Sequence, residues 1–133
     1  MEGGAGMNAT ARAFLVLGAL NAVLAVALGA FAAHGLKPRL APESLAAFQT
    51  GVQYHFYHAL GLASVGLAAL RLDPSPWLLF AGTAMAAGIV LFSGSLYALA
   101  LTGVRGFGAV TPFGGSLFIL AWFSFAIAMW RAH

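Results

Sequence analysis

The sequence predicts an all-α integral membrane protein, a four-helix antiparallel bundle. Three observations predict it. Of 133 residues, 62% are hydrophobic and 7% charged, whereas soluble chains run about 45–50% apolar and about 25% charged. The mean hydropathy is +0.93. Four stretches free of charged residues are each long enough to cross about 30 Å of hydrocarbon at about 1.5 Å per residue. Finally, the connections between them are short, so consecutive helices must turn back on one another.

The expected spans run over 13–33, 44–70, 76–101 and 112–130. Proline marks the start of three: Pro42 with Glu43, Pro76 after Ser75, and Pro112 after Thr111, each in a first turn where a missing N–H costs nothing. Lys37 and Arg39 lie in the first connection, Arg71 and Asp73 in the second, and Arg105 in the glycine-rich third. Residues 1–12 read as a flexible leader before a single four-span domain, 13–133, and Met7 is an alternative start. Ala30-Phe31-Ala32 resembles a signal cleavage site. The apolar run before it is longer than the roughly 7–15 residues of a signal segment, so an uncleaved helix is expected. Gly18 with Ala22, Ala25 with Gly29, and Gly82 with Ala86 supply small residues for close helix contact.

Charge narrows the function classes. Six Lys and Arg against three Asp and Glu give +3, but the cations are dispersed at helix ends, as headgroup anchors are. A nucleic-acid binder clusters them, so that class is excluded. Arg12, Arg71 and Arg131 flank the side of the termini, and Lys37, Arg39 and Arg105 the opposite, loop side. The cation bias therefore sets no orientation. With no cysteine, disulfides, quinone-linked thiol chemistry and thiolate metal sites are also excluded.

The polar residues concentrate toward the loop side. His34 ends the first span, and the first half of the second carries Gln49, Thr50, Gln53, Tyr54, His55, Tyr57 and His58. Ser93, Ser95 and Tyr97 end the third, and Thr111 opens the fourth. Ser64, Thr83 and Ser124 are mild exceptions in the other half, and Asn21 falls near mid-depth. At about 100° per residue, Gln49, Gln53, Tyr57, Thr50, Tyr54 and His58 share one half-turn, with His55 about 60° outside it. The expectation is a polar pocket or hydrogen-bonded cluster open to the loop side, built from His34, Gln49, Gln53, Tyr54, His58, Ser93, Tyr97 and Thr111. Such groups commonly do no more than bond one another and set helix register. The alternative is a ligand or partner site, since polar residues inside a membrane are costly.

Four runs carry a resemblance: Gly29-Ala30-Phe31-Ala32-Ala33-His34-Gly35-Leu36, Phe48-Gln49-Thr50-Gly51-Val52-Gln53-Tyr54-His55-Phe56-Tyr57-His58-Ala59, Phe92-Ser93-Gly94-Ser95-Leu96-Tyr97, and Thr111-Pro112-Phe113-Gly114-Gly115. In that order and spacing the chain resembles the YgdD-like family of small bacterial inner-membrane proteins, which has a mitochondrial transmembrane relative in animals. Ala32 stands where the family often has glycine. The resemblance implies a four-span fold and a multi-pass bacterial inner-membrane location. It brings no assigned activity, cofactor or catalytic residue.

Three function classes follow. An enzyme or redox protein would use His34, His55 and His58 as three imidazoles for Zn, Cu or Fe, or His34 with His58 for haem; no carboxylate lies within a span and no Ser-His-Asp set can be assembled. A carrier or channel would use the same histidines, because proton-coupled export by an intramembrane carboxylate is ruled out by Glu2, Glu43 and Asp73 all lying at ends or loops. The reading that asks least is a binding or assembly module without a cofactor, seated in the lipid bilayer and docking on a larger membrane complex or on its own copy.

Overall fold

A computed structural model describes residues 7–132 as four helices. They are α1 (Ala9–Leu36), α2 (Pro42–Arg71), α3 (Pro76–Thr102) and α4 (Gly106–Arg131). There is no strand among the described residues. Residues 1–6 of the expected leader lie outside the described residues. Ala9–Arg12, read as part of that leader, instead form the first turn of α1, because Asn8 caps it. The Asn8 Oδ1 accepts the Ala11 N–H at 2.7 Å, and its Nδ2 donates to the Ala69 carbonyl of α2 at 2.9 Å. The cap thus both starts the helix and ties it to its neighbour.

α2 opens on Pro42 with Glu43 in the first turn, favourable against the positive end of the helix dipole. In α3 the Ser75 Oγ accepts the Leu78 N–H at 3.2 Å. α4 departs from expectation. It begins at Gly106 rather than at Pro112, which sits inside the helix. Gly103, at φ +72°, takes the whole turn, and its N–H bonds the Leu99 carbonyl at 2.8 Å. So tight a reversal leaves the rest of the glycine-rich run free to become helix.

The helices run antiparallel, each packed along its successor. From end to end, α1 meets α2 through Asn8 at Ala69, Gly18 at Ala63 and Phe31 at Phe48. α2 meets α3 through Gly61 at Met85 and Gly51 at Tyr97; α3 meets α4 through Gly88 at Phe118 and Gly114 at the Leu91–Phe92 backbone. A Cβ on Gly18 would lie 2.8 Å from the Ala63 nitrogen and 2.9 Å from the Ala59 oxygen, so only glycine allows that approach. α1 and α4 share no extended contact among the described residues.

The apolar core centres on Phe14, Leu62, Val65, Leu78, Met85 and Phe118, with a smaller cluster of Ala32, Leu36, Phe48 and Ala100 near the loop side. Outward, Leu20, Val23, Val26, Ile119, Leu120 and Phe123 are exposed. That is the inversion expected when hydrocarbon replaces water. α1, α3 and α4 are each long and apolar enough to cross a membrane. α2 is the longest helix and runs the full length of α1 and α3 between them, but carries polar residues at mid-length. Two π-helical turns interrupt the pattern, at Ala32–Leu36 and Ile89–Ser93. Such turns shift register locally and are frequent at functional positions.

Candidate functional site

Two buried histidines on α2 organise the centre. His55 is 2% exposed and His58 5%, and both lie within about 2 Å of the helix midpoint at about 1.5 Å per residue. They therefore sit near mid-length of α2, at the inner edge of the first half in which the sequence had placed them. His55 also lies on the inward face of α2, although the helical projection put it outside the polar arc.

Their partners define their tautomers. Asn21 Oδ1 can only accept, so His55 Nε2–H donates to it at 2.9 Å, and His55 Nδ1 then accepts the Tyr97 O–H at 2.9 Å. Asn21 Nδ2 in turn donates to the Leu17 carbonyl at 2.8 Å. The result is one directed chain, Tyr97 to His55 to Asn21 to Leu17, across α3, α2 and α1. His58 has the opposite arrangement. Its Nδ1–H donates to the Tyr54 carbonyl at 2.7 Å, leaving Nε2 to accept the Trp122 Nε1–H of α4 at 3.0 Å. Its ring also stacks on Phe118, with centroids 3.4 Å apart and planes 7° from parallel. Between them the two imidazoles tie α2 to all three other helices, and every ring nitrogen is used.

Further polar bonds join α3 to its neighbours. Ser93, fully buried, donates to the Gly51 carbonyl of α2 at 2.7 Å from the end of the π-helical turn. Ser95 Oγ and Thr111 Oγ1 are 2.5 Å apart. The Ser124 Oγ donates to the Trp77 carbonyl at 2.6 Å. No buried side-chain nitrogen or oxygen among the described residues lacks a partner.

The structure divides the expected cluster. It brings His55, His58, Ser93, Tyr97 and Thr111 into the interior network. Gln49, Thr50, Gln53, Tyr54 and Tyr57 instead lie on the exposed face of α2, where Gln53 Nε2 donates to the Tyr57 hydroxyl at 2.5 Å. His34 is exposed in the π-helical end of α1. It is not brought together with His55 and His58, whose nitrogens are already bonded, and no group of three potential metal ligands occurs among the described residues. The three-imidazole site and the His34–His58 haem pair are corrected on that ground.

The expected pocket also differs. The opening is a lateral groove of about 750 Å³ between α2 and α4, lined by Tyr54, Tyr57, His58, Phe92, Phe118 and Trp122, with Pro112, Gly115, Ser116 and Ile119 along α4. It forms because α2 and α4 both pack on α3 and meet each other only through side chains. Sequence reading passed over Trp122, and it set Ser124 aside as a mild polar exception in the other half. A tryptophan near mid-span, away from the interfacial belts, was the available signal for Trp122, because an indole N–H at hydrocarbon depth requires an acceptor.

Fold and site together define a helical integral membrane protein with a histidine-centred hydrogen-bond core. Residues 28–115 match the family described as "Protein of unknown function (DUF423)". The chain is 50% identical over 117 residues to the UPF0382 membrane protein YwdK of Bacillus subtilis, covering 88% of this chain and 95% of that protein. A UPF0382 membrane protein of Staphylococcus epidermidis is 46% identical, with 88% and 94% covered, and one of Haemophilus influenzae 41%, with 90% and 94% covered. No solved structure matches. The chain belongs to the DUF423, or UPF0382, family of membrane proteins.

Proposed function

We propose that the protein is a non-enzymatic assembly module of the bacterial cytoplasmic membrane, crossing it four times and pairing laterally with a transmembrane helix of a larger membrane complex. The observation that carries this reading is the outward position of Gln49 and Gln53 on α2. With α2 centred in the bilayer, Gln49 lies about 4 Å and Gln53 about 10 Å inside a hydrocarbon layer about 30 Å thick. Gln53 gives one N–H to Tyr57. Its carbonyl and second N–H face lipid, where each unsatisfied group costs several kcal/mol. A partner helix presenting a carboxamide or hydroxyl relieves that cost, and such bonds favour association by about 0.6–2 kcal/mol. The bacterial relatives named as membrane proteins support the location. The saturated imidazoles leave no general base poised for chemistry, which favours binding over catalysis.

A photo-crosslinking residue at position 53, in native membranes, tests the reading. The expected product is one discrete protein adduct, with none from the same probe at Leu67, on the same face but in its apolar half. Adducts with lipid alone at both positions refute the proposal. An adduct of twice the chain mass identifies a second copy as the partner.

A further inference from the structure

We infer that the lateral groove between α2 and α4 is a binding site for a neutral, ring-bearing lipid with carbonyl acceptors, chemically a quinone. The groove adjoins the glutamine face but does not include Gln49 or Gln53, so the inference goes beyond the pairing proposed above and stands or falls apart from it.

Position sets the first constraint. The lining residues Tyr54, Tyr57 and His58 lie within about 4 Å of the α2 midpoint, and Tyr54, Tyr57 and Ile119 are exposed along the rim. The entrance therefore faces the side of the bundle at mid-length, and a ligand must arrive dissolved in the bilayer. No charged residue lines the groove, so the ligand is uncharged.

The shape of the lining sets the second. Six rings bound the space: Tyr54, Tyr57, His58, Phe92, Phe118 and Trp122. The buried His58–Phe118 stack closes the floor, Trp122 bonds His58 from the exposed side, and Tyr54 and Phe92 stand at 4.8 Å with planes tilted by 43°. Ring faces favour a flat conjugated ligand by offset or edge-to-face contact. A saturated chain gains nothing specific from them.

Hydrogen-bond inventory sets the third. The floor offers nothing, because both His58 nitrogens and the Trp122 N–H are engaged. The Ser116 hydroxyl is turned back to the Pro112 carbonyl at 2.9 Å. The remaining donors are phenols: Tyr57 oxygen accepts from Gln53, which leaves its own O–H to give, and Tyr54 uses only its backbone carbonyl within the described residues. Two phenolic donors in hydrocarbon call for acceptors on the ligand. A ring carrying carbonyl oxygens and no charge meets all three constraints.

Trp122 reports on occupancy. In dodecyl maltoside, W77F/W130F protein leaves it as the sole tryptophan; Trp77 and Trp130 are 41% and 90% exposed and bond through no side-chain atom among the described residues. Titration with a decyl-substituted benzoquinone should quench Trp122 to saturation. Y54F and Y57F should each weaken binding about fivefold, the factor that about 1 kcal/mol is worth. Gly115→Leu fills the groove, and the nearest heavy atom to a Cβ there is Phe92 Cδ2 at 3.7 Å, so this variant should fold with an unchanged melting temperature and lose saturable quenching. The corresponding decyl dimethoxybenzene, which keeps the ring and loses the carbonyls, should fail to displace the quinone. Quenching that rises linearly without saturation, indifference to both phenylalanine variants, or equal displacement by the dimethoxy compound or by dodecanol overturns the inference.

Discussion

Replacing His55 by leucine removes two hydrogen bonds with little change of volume. The perturbation isolates the polar chain from packing. His55 is fully enclosed, with Tyr97 and Asn21 each 2.9 Å from one ring nitrogen. In H55L the Tyr97 O–H and the Asn21 Oδ1 lose their partners. Cross-helix hydrogen bonds in membrane proteins average about 0.6 kcal/mol and reach about 1.7, whereas leaving a buried group unsatisfied costs about 1–3 kcal/mol. Because Tyr97 and Asn21 are only partly buried, each contribution belongs near 1 kcal/mol, and the single variant should lose about 2 kcal/mol. The orphaned groups can themselves be removed. The triple variant N21L/H55L/Y97F should recover to within about 1 kcal/mol of the parent, since exchanging a satisfied polar set for apolar groups of similar shape is nearly neutral. Reversible unfolding in mixed detergent micelles, titrated with sodium dodecyl sulfate, measures both, and the double-mutant cycle of H55L with Y97F should show coupling near 1 kcal/mol. A triple variant less stable than H55L, or zero coupling, would falsify the directed chain.

Glycine contacts give a graded series: Gly18→Ala, whose Cβ meets α2 backbone, should cost about 1–3 kcal/mol, Gly29→Ala, facing only the Val52 side chain at 3.3 Å, should cost less, and Gly94→Ala, with open space, should be neutral or slightly stabilising; equal effects across the three in the same unfolding assay contradict the packing. Gln53→Leu should leave the isolated protein as stable as the parent or more so while abolishing the crosslinked adduct in membranes, and retention of the adduct counts against the assembly reading. Single cysteines at Asn8, Ser75 and Ala132 should react with an impermeant maleimide from one side of sealed vesicles and those at Arg39 and Gly106 from the other. Labelling of positions 39 and 75 from the same side excludes α2 as a span.

The sequence by itself determined the solvent, the fold class and most helix ends, because these depend on local and additive quantities. Charge-free length sets what crosses hydrocarbon. Ser75 and Pro42 act within one turn of themselves, so their effect is readable without knowing what they pack against. Where the local signal competed with a tertiary one it misled. Asn8 starts α1 early by also bonding Ala69, and Gly103 completes the last turn so sharply that Pro112 is carried into α4. The site was decided by tertiary structure alone. A helical projection groups residues by angle but does not say which angle faces a neighbour, and α2 presents its histidines inward and its glutamines outward because α1 and α3 approach along the arc of Gly51, His55 and Ala59. Which nitrogen of His55 carries hydrogen was likewise decided by a partner 34 residues away, Asn21, whereas His58 Nδ1–H is set within its own helix by the Tyr54 carbonyl and only the Trp122 bond to its Nε2 is tertiary. The lateral groove has no sequence signature at all. It exists because α2 and α4 both choose α3 over each other, and a space between helices is a property of their arrangement, not of any residue in them.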